Sequence, residues 1–304
     1  MIELREMADG RFSRSYGGDT LNTAVYLARL GVAVDYVTAL GDDPWSEEMI
    51  AGWAAEGIGT EKVARLPGRV PGLYIIQTDA RGERRFLYWR DSAPARVLFD
   101  VPETTDIVEA LPGYDLLYFS GITLSLYGDT GRTRFVEALD RAQAQGCRIA
   151  FDTNFRPRGW PDRALAQAAY RIAFERADIV LASTEDLDLL FGAAGVQELL
   201  SHRVSAELVL KLATPACRVI SADRDEEIRA EPVADVVDTT AAGDSFAAAY
   251  LAARLSGIEP REAARAGHRL AGAVVRHPGA IIPQAAMPVG LTFPARAQHK
   301  EMRA

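Results

Sequence analysis

Small residues, a carboxylate and a helix start coincide at Asp238-Thr239-Thr240-Ala241-Ala242-Gly243-Asp244. Ala241, Ala242 and Gly243 let backbone N–H groups crowd together. The alanine-rich run from Ser245 to Tyr250 continues them as a helix, with Gly257 placed as its stop. The first turn of a helix carries unpaired donors and a partial positive charge, which suits an oxyanion or phosphate. Asp244, in that turn, can take a proton from a substrate hydroxyl. A base beside an anion seat is what phosphoryl transfer to an alcohol requires. Taken alone the pattern also fits an ordinary acidic helix cap, so the elements around it must decide.

The run Val233-Ala234-Asp235-Val236-Val237 reads as a strand feeding that helix. Met1 to Ser15 alternates weakly and suggests a hairpin. Gly17-Gly18-Asp19-Thr20-Leu21-Asn22 then leads into a helix that Gly31 stops, Val34–Leu40 into a strand, and the Met49–Ala54 region into a helix ending near Gly57. This βα rhythm argues for a parallel sheet covered by helices. It is interrupted between Pro67 and Phe99, where Gly72–Thr78 and Arg85–Arg90 read as two strands joined by a short turn at Asp79–Glu83. After Phe99, strands are expected at Leu116–Ser120, Arg148–Asp152, Ile179–Ala182, Glu207–Lys211 and Ala216–Ser221. Their ends carry Ser120, Asp152, Asn154, Arg156, Ser183 and Asp186, where an open parallel sheet places its ligand.

Composition narrows the partners. The chain has 304 residues and a net charge of −8, which opposes nucleic acid or an anionic membrane as main partner. No apolar run approaches ~18 residues and no signal peptide opens the chain, so a cytoplasmic protein is expected. Cys147 and Cys217 have neither redox nor metal spacing, and the four histidines are scattered. A P-loop, a G-x-G-x-x-G fingerprint and the protein-kinase signatures are all missing. Any phosphate seat must therefore be the Ala242-Gly243 helix start.

These residues resemble the PfkB (ribokinase-like) carbohydrate kinases. The Asp238–Asp244 stretch is similar to the family signature D-T-x-G-A-G-D, with Ala241 in place of its first glycine. The Gly17-Gly18-Asp19…Asn22 segment is similar to its sugar-binding glycine pair. Runs at Leu73-Tyr74, Tyr88-Trp89-Arg90, Phe151-Asp152…Asn154…Arg156 and Gly279–Pro283 resemble the branch acting on 2-keto-3-deoxygluconate. The resemblance implies a three-layer α/β sandwich with a mostly parallel sheet and a small β-lid. Residues 17–66 and 100–290 would form the main nucleotide- and substrate-binding domain, 1–16 and 67–99 the lid, and 291–304 a tail. It implies ATP and Mg²⁺, leaves a monovalent cation open, and suggests a homodimer or higher homo-oligomer through the lid. Asp244 would be the base, with Ala241, Ala242 and Gly243 forming the anion hole. Gly17, Gly18, Asp19, Asn22, Tyr74, Tyr88, Arg90, Arg156 and Asp244 would meet the sugar acid. Ser183, Lys211, Thr239, Gly243, His268 and Gly279 would serve ATP, and Asp186 would hold magnesium through water. Chemistry favours an acid substrate as well, because two arginines suit a carboxylate and a neutral sugar needs neither.

The family pattern begins with an apolar strand upstream of the segment matching Met1–Leu4, and reduced stability is expected without it. Two other readings stay open: a kinase for fructose or ribose, and a sugar-acid binding protein without turnover.

Overall fold

The computed structural model describes residues 1–7, 9–78, 84–202, 207–221 and 223–293. The chain opens with β1 (Ile2–Glu6), β2 (Phe12–Tyr16), α1 (Asp19–Arg29), β3 (Thr38–Leu40), α2 (Pro44–Ala55) and β4 (Val63–Arg65). There follow β5 (Leu73–Thr78), β6 (Arg84–Trp89), α3 (Thr105–Glu109), β7 (Leu116–Ser120), α4 (Gly121–Leu126) and α5 (Asp129–Ala144). Next come β8 (Arg148–Asp152), α6 (Arg163–Arg176), β9 (Ile179–Ser183), α7 (Thr184–Phe191) and α8 (Gly195–His202). The last elements are β10 (Glu207–Lys211), β11 (Ala216–Ile220), β12 (Asp225–Arg229), α9 (Ala242–Leu255) and α10 (Pro260–Val274).

The main sheet runs β12-β11-β10-β9-β8-β7, parallel from β7 to β10 and antiparallel beyond. Its central strands are apolar almost throughout, because helices bury both faces. On one face α5, α6 and α7 pack through Phe135, Tyr170, Phe174 and Leu190. On the other lie α1, α9 and α10. Helix α9 is buried from Ser245 to Ala253, and its alanines permit close approach. Gly267 of α10 serves the same contact: a Cβ there would stand 2.7 Å from the Phe246 ring. Parallel register aligns Ser120 with Asp152 and Ser183 with Lys211, so four polar residues end four strands along one rim. A second sheet, β2-β1-β5-β6, holds both expected hairpins, joined by parallel pairing of β1 with β5. The turn at 79–83 and the tail from 294 lie outside the described residues.

Three expectations need correction. Val233–Val237 is not a strand: the Val237 and Asp238 N–H groups both donate to the Val275 carbonyl at the end of α10 (2.8 and 3.2 Å), and Val236 and Val237 are exposed. The strand expected over Val34–Leu40 shrinks to Thr38–Leu40, paired only with β4. Residues 34–37 instead border an apolar cavity of about 460 Å³ that residues 116–119 of β7 also line. The tail does not begin at 291, since Leu291 is buried and the Phe293 N–H bonds the Leu30 carbonyl at 2.8 Å.

Candidate active site

Helix α9 begins abruptly. Asp238 is buried and its Oδ1 accepts from the Thr240 N–H (2.9 Å) and hydroxyl (2.6 Å), while Oδ2 accepts from the Gly279 N–H at 2.9 Å. This one side chain ties the turn before the helix to the loop after α10. Ala241 then takes a left-handed conformation (φ 60°), which a glycine would adopt with less strain. The Ala242 N–H is spent on the Thr239 carbonyl at 3.2 Å. Of the expected donors Ala241, Ala242 and Gly243, only Ala242 is thus occupied; the N–H groups of Ala241, Gly243 and Asp244 have no acceptor among the described residues.

The first turn of α1 faces that start. Asn22, buried, donates from Nδ2 to Asp244 Oδ2 at 2.8 Å. The Thr23 hydroxyl donates to the Asp244 carbonyl at 3.3 Å. Asp19 stands alongside; its Oδ2 accepts from the Ser120 hydroxyl and from Asn154 Nδ2, the latter at 3.0 Å. Gly17 and Gly18 give α1 its unencumbered approach, and a Cβ on Gly17 would come within 2.6 Å of the Tyr74 hydroxyl. Asp244 is partly accessible, yet its carboxyl lies deep enough that burial, reinforced by the Asp19 charge, pushes its pKa from 3.8 to about 8. Asn22 Oδ1 is buried without a partner among the described residues.

At the strand ends, Lys211 reaches Asp152 at 3.0 Å. Burial works against the Lys211 charge and is outweighed by Asp152 and Asp186, so its pKa is raised. Burial raises the Asp152 carboxyl in turn, with Lys211 opposing. The ammonium also stands 3.6 Å from where a Gly243 Cβ would be, which puts it beside the helix start. Ser183 caps α7 by accepting the Asp186 N–H at 3.0 Å. Asp186 Oδ2 accepts from the Thr153 hydroxyl at 2.8 Å, and Oδ1 stands 3.7 Å from Arg156 Nη1.

The small sheet contributes Tyr74, Tyr88 and Arg90. The rings of Tyr74 and Tyr88 are 5.9 Å apart, and the Arg90 guanidinium lies over Tyr88 at 4.6 Å. The Tyr74 hydroxyl donates to Glu3. No contact joins Arg90 to Arg156 among the described residues. His268 packs edge-on against Phe246 and places Nε2 3.0 Å from the Ile228 carbonyl, while Thr239 is exposed. His268 lies on α10, and Gly279 lies in the loop after it, tied to the start of α9 through Asp238.

Four residues of this cluster had been given no role: Glu3, Ser120, Asp152 and Asn154. Ser120, Asp152 and Asn154 carried a signal, since each is polar at the end of an apolar strand. Glu3 carried none, because a glutamate in an exposed-looking hairpin is ordinary. Asn154 also has a positive φ of 26°, which only the backbone discloses.

A family model for the pfkB family carbohydrate kinases matches residues 3–287. The chain is 42% identical to a 2-dehydro-3-deoxygluconokinase of Dickeya dadantii, over 95% of this chain and 96% of the relative. It is 40% identical, with the same coverage, to the 2-dehydro-3-deoxygluconokinase of Escherichia coli K12. Among solved structures, fructokinase with bound ATP from Xylella fastidiosa superposes with a TM-score of 0.79 at 26% identity, covering 95% of this chain and 92% of that one.

Proposed function

Since the chain belongs to the pfkB family of carbohydrate kinases, we propose that it is a 2-dehydro-3-deoxygluconokinase. It moves the γ-phosphoryl group of ATP to the terminal hydroxyl of 2-keto-3-deoxygluconate, giving 2-keto-3-deoxy-6-phosphogluconate. The observation that carries this reading is the Asn22–Asp244 pair set against the bare start of α9.

Asn22 holds one oxygen of Asp244, so the other is left to receive the hydroxyl proton. The hydroxyl oxygen bonds to the γ-phosphorus as the bond to the β-phosphate oxygen breaks. The Gly243 and Asp244 N–H groups and Lys211 face the charge spread over the transferring group. Asn22 Oδ1, a buried acceptor without a donor among the described residues, is suited to a second substrate hydroxyl. Tyr74, whose hydroxyl donates to Glu3, and Tyr88 close over the sugar, and the carboxylate falls to Arg90 and Arg156. The small sheet acts as a lid that keeps water, the competing acceptor, out.

Magnesium fits the strand ends. Among the described residues Asp186 Oδ1 has only a 3.7 Å approach from Arg156, and one carboxylate with phosphates and water is enough for Mg²⁺. Asp186 would hold the ion, which when bound neutralises phosphate charge. Exposed Phe12 and Trp89 on the small sheet support pairing with a second copy through the lid. No described helix is long and apolar enough to cross a membrane, and we place the enzyme in the cytoplasm.

The test is ATP consumption, with Mg²⁺, on 2-keto-3-deoxygluconate, its galactose-derived epimer, fructose and ribose. Strong preference for the two keto-deoxy acids is expected. Preference for a neutral sugar would overturn the substrate, and no turnover with any of them would overturn the kinase reading.

A further inference from the structure

Asp19 is gripped from one side only. It opens α1, and its Oδ2 takes two donors brought by two different strand ends: the Ser120 hydroxyl after β7 and the Asn154 amide after β8. Its Oδ1 accepts from no described residue. Ser120 is fully buried and also accepts the Thr123 N–H at 3.3 Å, which fixes its hydroxyl oxygen at the start of α4. Asn154 reaches Asp19 across 135 positions of sequence from a backbone with φ 26°. Among the described residues the only other non-glycine with positive φ is Ala241, at the start of α9. Asparagine is among the residues that enter this region at least cost, and a conformation so held is retained where the surroundings demand it. Here the gain is an amide aimed at a carboxylate, a charge-assisted bond.

We propose that Ser120 and Asn154 are positioning residues that clamp Asp19 by one oxygen, so that the other is presented to the sugar as a single, oriented hydroxyl acceptor. This rests on the proposal that Asp19 meets the sugar. Asn22 does the equivalent for Asp244, taking Oδ2 and leaving Oδ1. The two carboxylates therefore each offer one directed oxygen. A freely rotating carboxylate would accept a hydroxyl from several directions and discriminate poorly between stereoisomers. The clamp turns Asp19 into a reader of hydroxyl direction.

The test is a double-mutant cycle on sugar binding by titration calorimetry, using wild type, Asn154→Gly, Asp19→Ala and the double variant. Glycine keeps the left-handed backbone without strain, so the melting temperature should hold or rise. Losing one hydrogen bond to a charged group should weaken sugar binding about tenfold, with the KM for ATP unchanged. In the Asp19→Ala background, where no acceptor remains for Asn154, the same change should cost less than twofold. Equal weakening in both backgrounds, or none in either, would overturn the clamp. The cycle uses whichever sugar of the panel above the wild type turns over, so a wrong substrate does not affect it. Should none be turned over, a crystal structure of Asn154→Gly decides without any sugar: Asp19 displaced supports the clamp, and Asp19 unmoved overturns it.

Discussion

Replacing Asp244 by Asn should make the protein more stable and nearly inactive. In the unfolded chain the carboxyl loses its proton near 3.8, whereas in the folded protein burial and Asp19 hold it until about 8. Between those values the folded state binds one more proton, so stability falls as pH rises from about 4 to about 8. A span of about four pH units at ~1.4 kcal/mol each sets an upper bound of about 6 kcal/mol, reached at pH 8. Asp244 is partly accessible, which screens its charge, so half of that, about 3 kcal/mol, is the expected gain for Asp244→Asn at pH 8. The amide oxygen of the variant can still accept from Asn22, so no buried donor is orphaned. Urea unfolding at pH 6, 7 and 8 should show the gap between the two proteins widening with pH. The loss of a positioned base should lower kcat by about 10²–10⁴. For the wild type, kcat/KM should rise with pH through about 8, as the free enzyme's base ionises. A variant no more stable than wild type at pH 8 would refute the burial argument. Retained kcat in a folded variant would refute Asp244 as base.

Arg90→Ala should raise KM for the sugar acid by about 10–100-fold in steady-state kinetics, the value of a charge-assisted contact, and leave KM for any neutral sugar unchanged. Equal effects on both would remove Arg90 from carboxylate recognition. Gly121→Ala should cost more than ~3 kcal/mol in thermal or urea unfolding, because its methyl would collide with the Tyr170 hydroxyl and the Thr153 carbonyl, which bond each other at 2.6 Å. A melting temperature within a degree of wild type would refute that packing.

What the sequence disclosed and what it hid divide along physical lines. β7, β8 and β10 lie at their expected residues, since buried parallel strands leave uninterrupted apolar runs bounded by polar ends. The start of α9 was readable from small residues followed by alanines. Val233–Val237 has the same β-branched composition as a strand, but the N–H groups of Val237 and of the following Asp238 are claimed by the end of α10, a contact that local sequence cannot report. β12 went unnoticed for the opposite reason. Asp-Glu-Glu-Ile-Arg is acidic because it forms the sheet's edge and buries little besides Ile228. In the site, residue types pointed to Asp19, Asn22 and Asp244. Which oxygen of each carboxylate is taken depends on three elements meeting, and that arises only from the register of β7 on β8 and the packing of α1 against α9.

That packing has a bearing on how the protein comes into being. The main sheet is assembled from strands consecutive in the chain, so all its pairings lie within residues 116–229, with α1, α9 and α10 added to one face. Asn22 and Asp244 stand 222 positions apart, and no earlier part of the chain can substitute for α9. On the ribosome, the first helix is made early and must wait for nearly the last one before Asn22 and Asp244 can meet. During refolding, spectroscopic signals of the sheet should therefore recover ahead of enzyme activity. Catalysis becomes a timer for the closing contact of the fold.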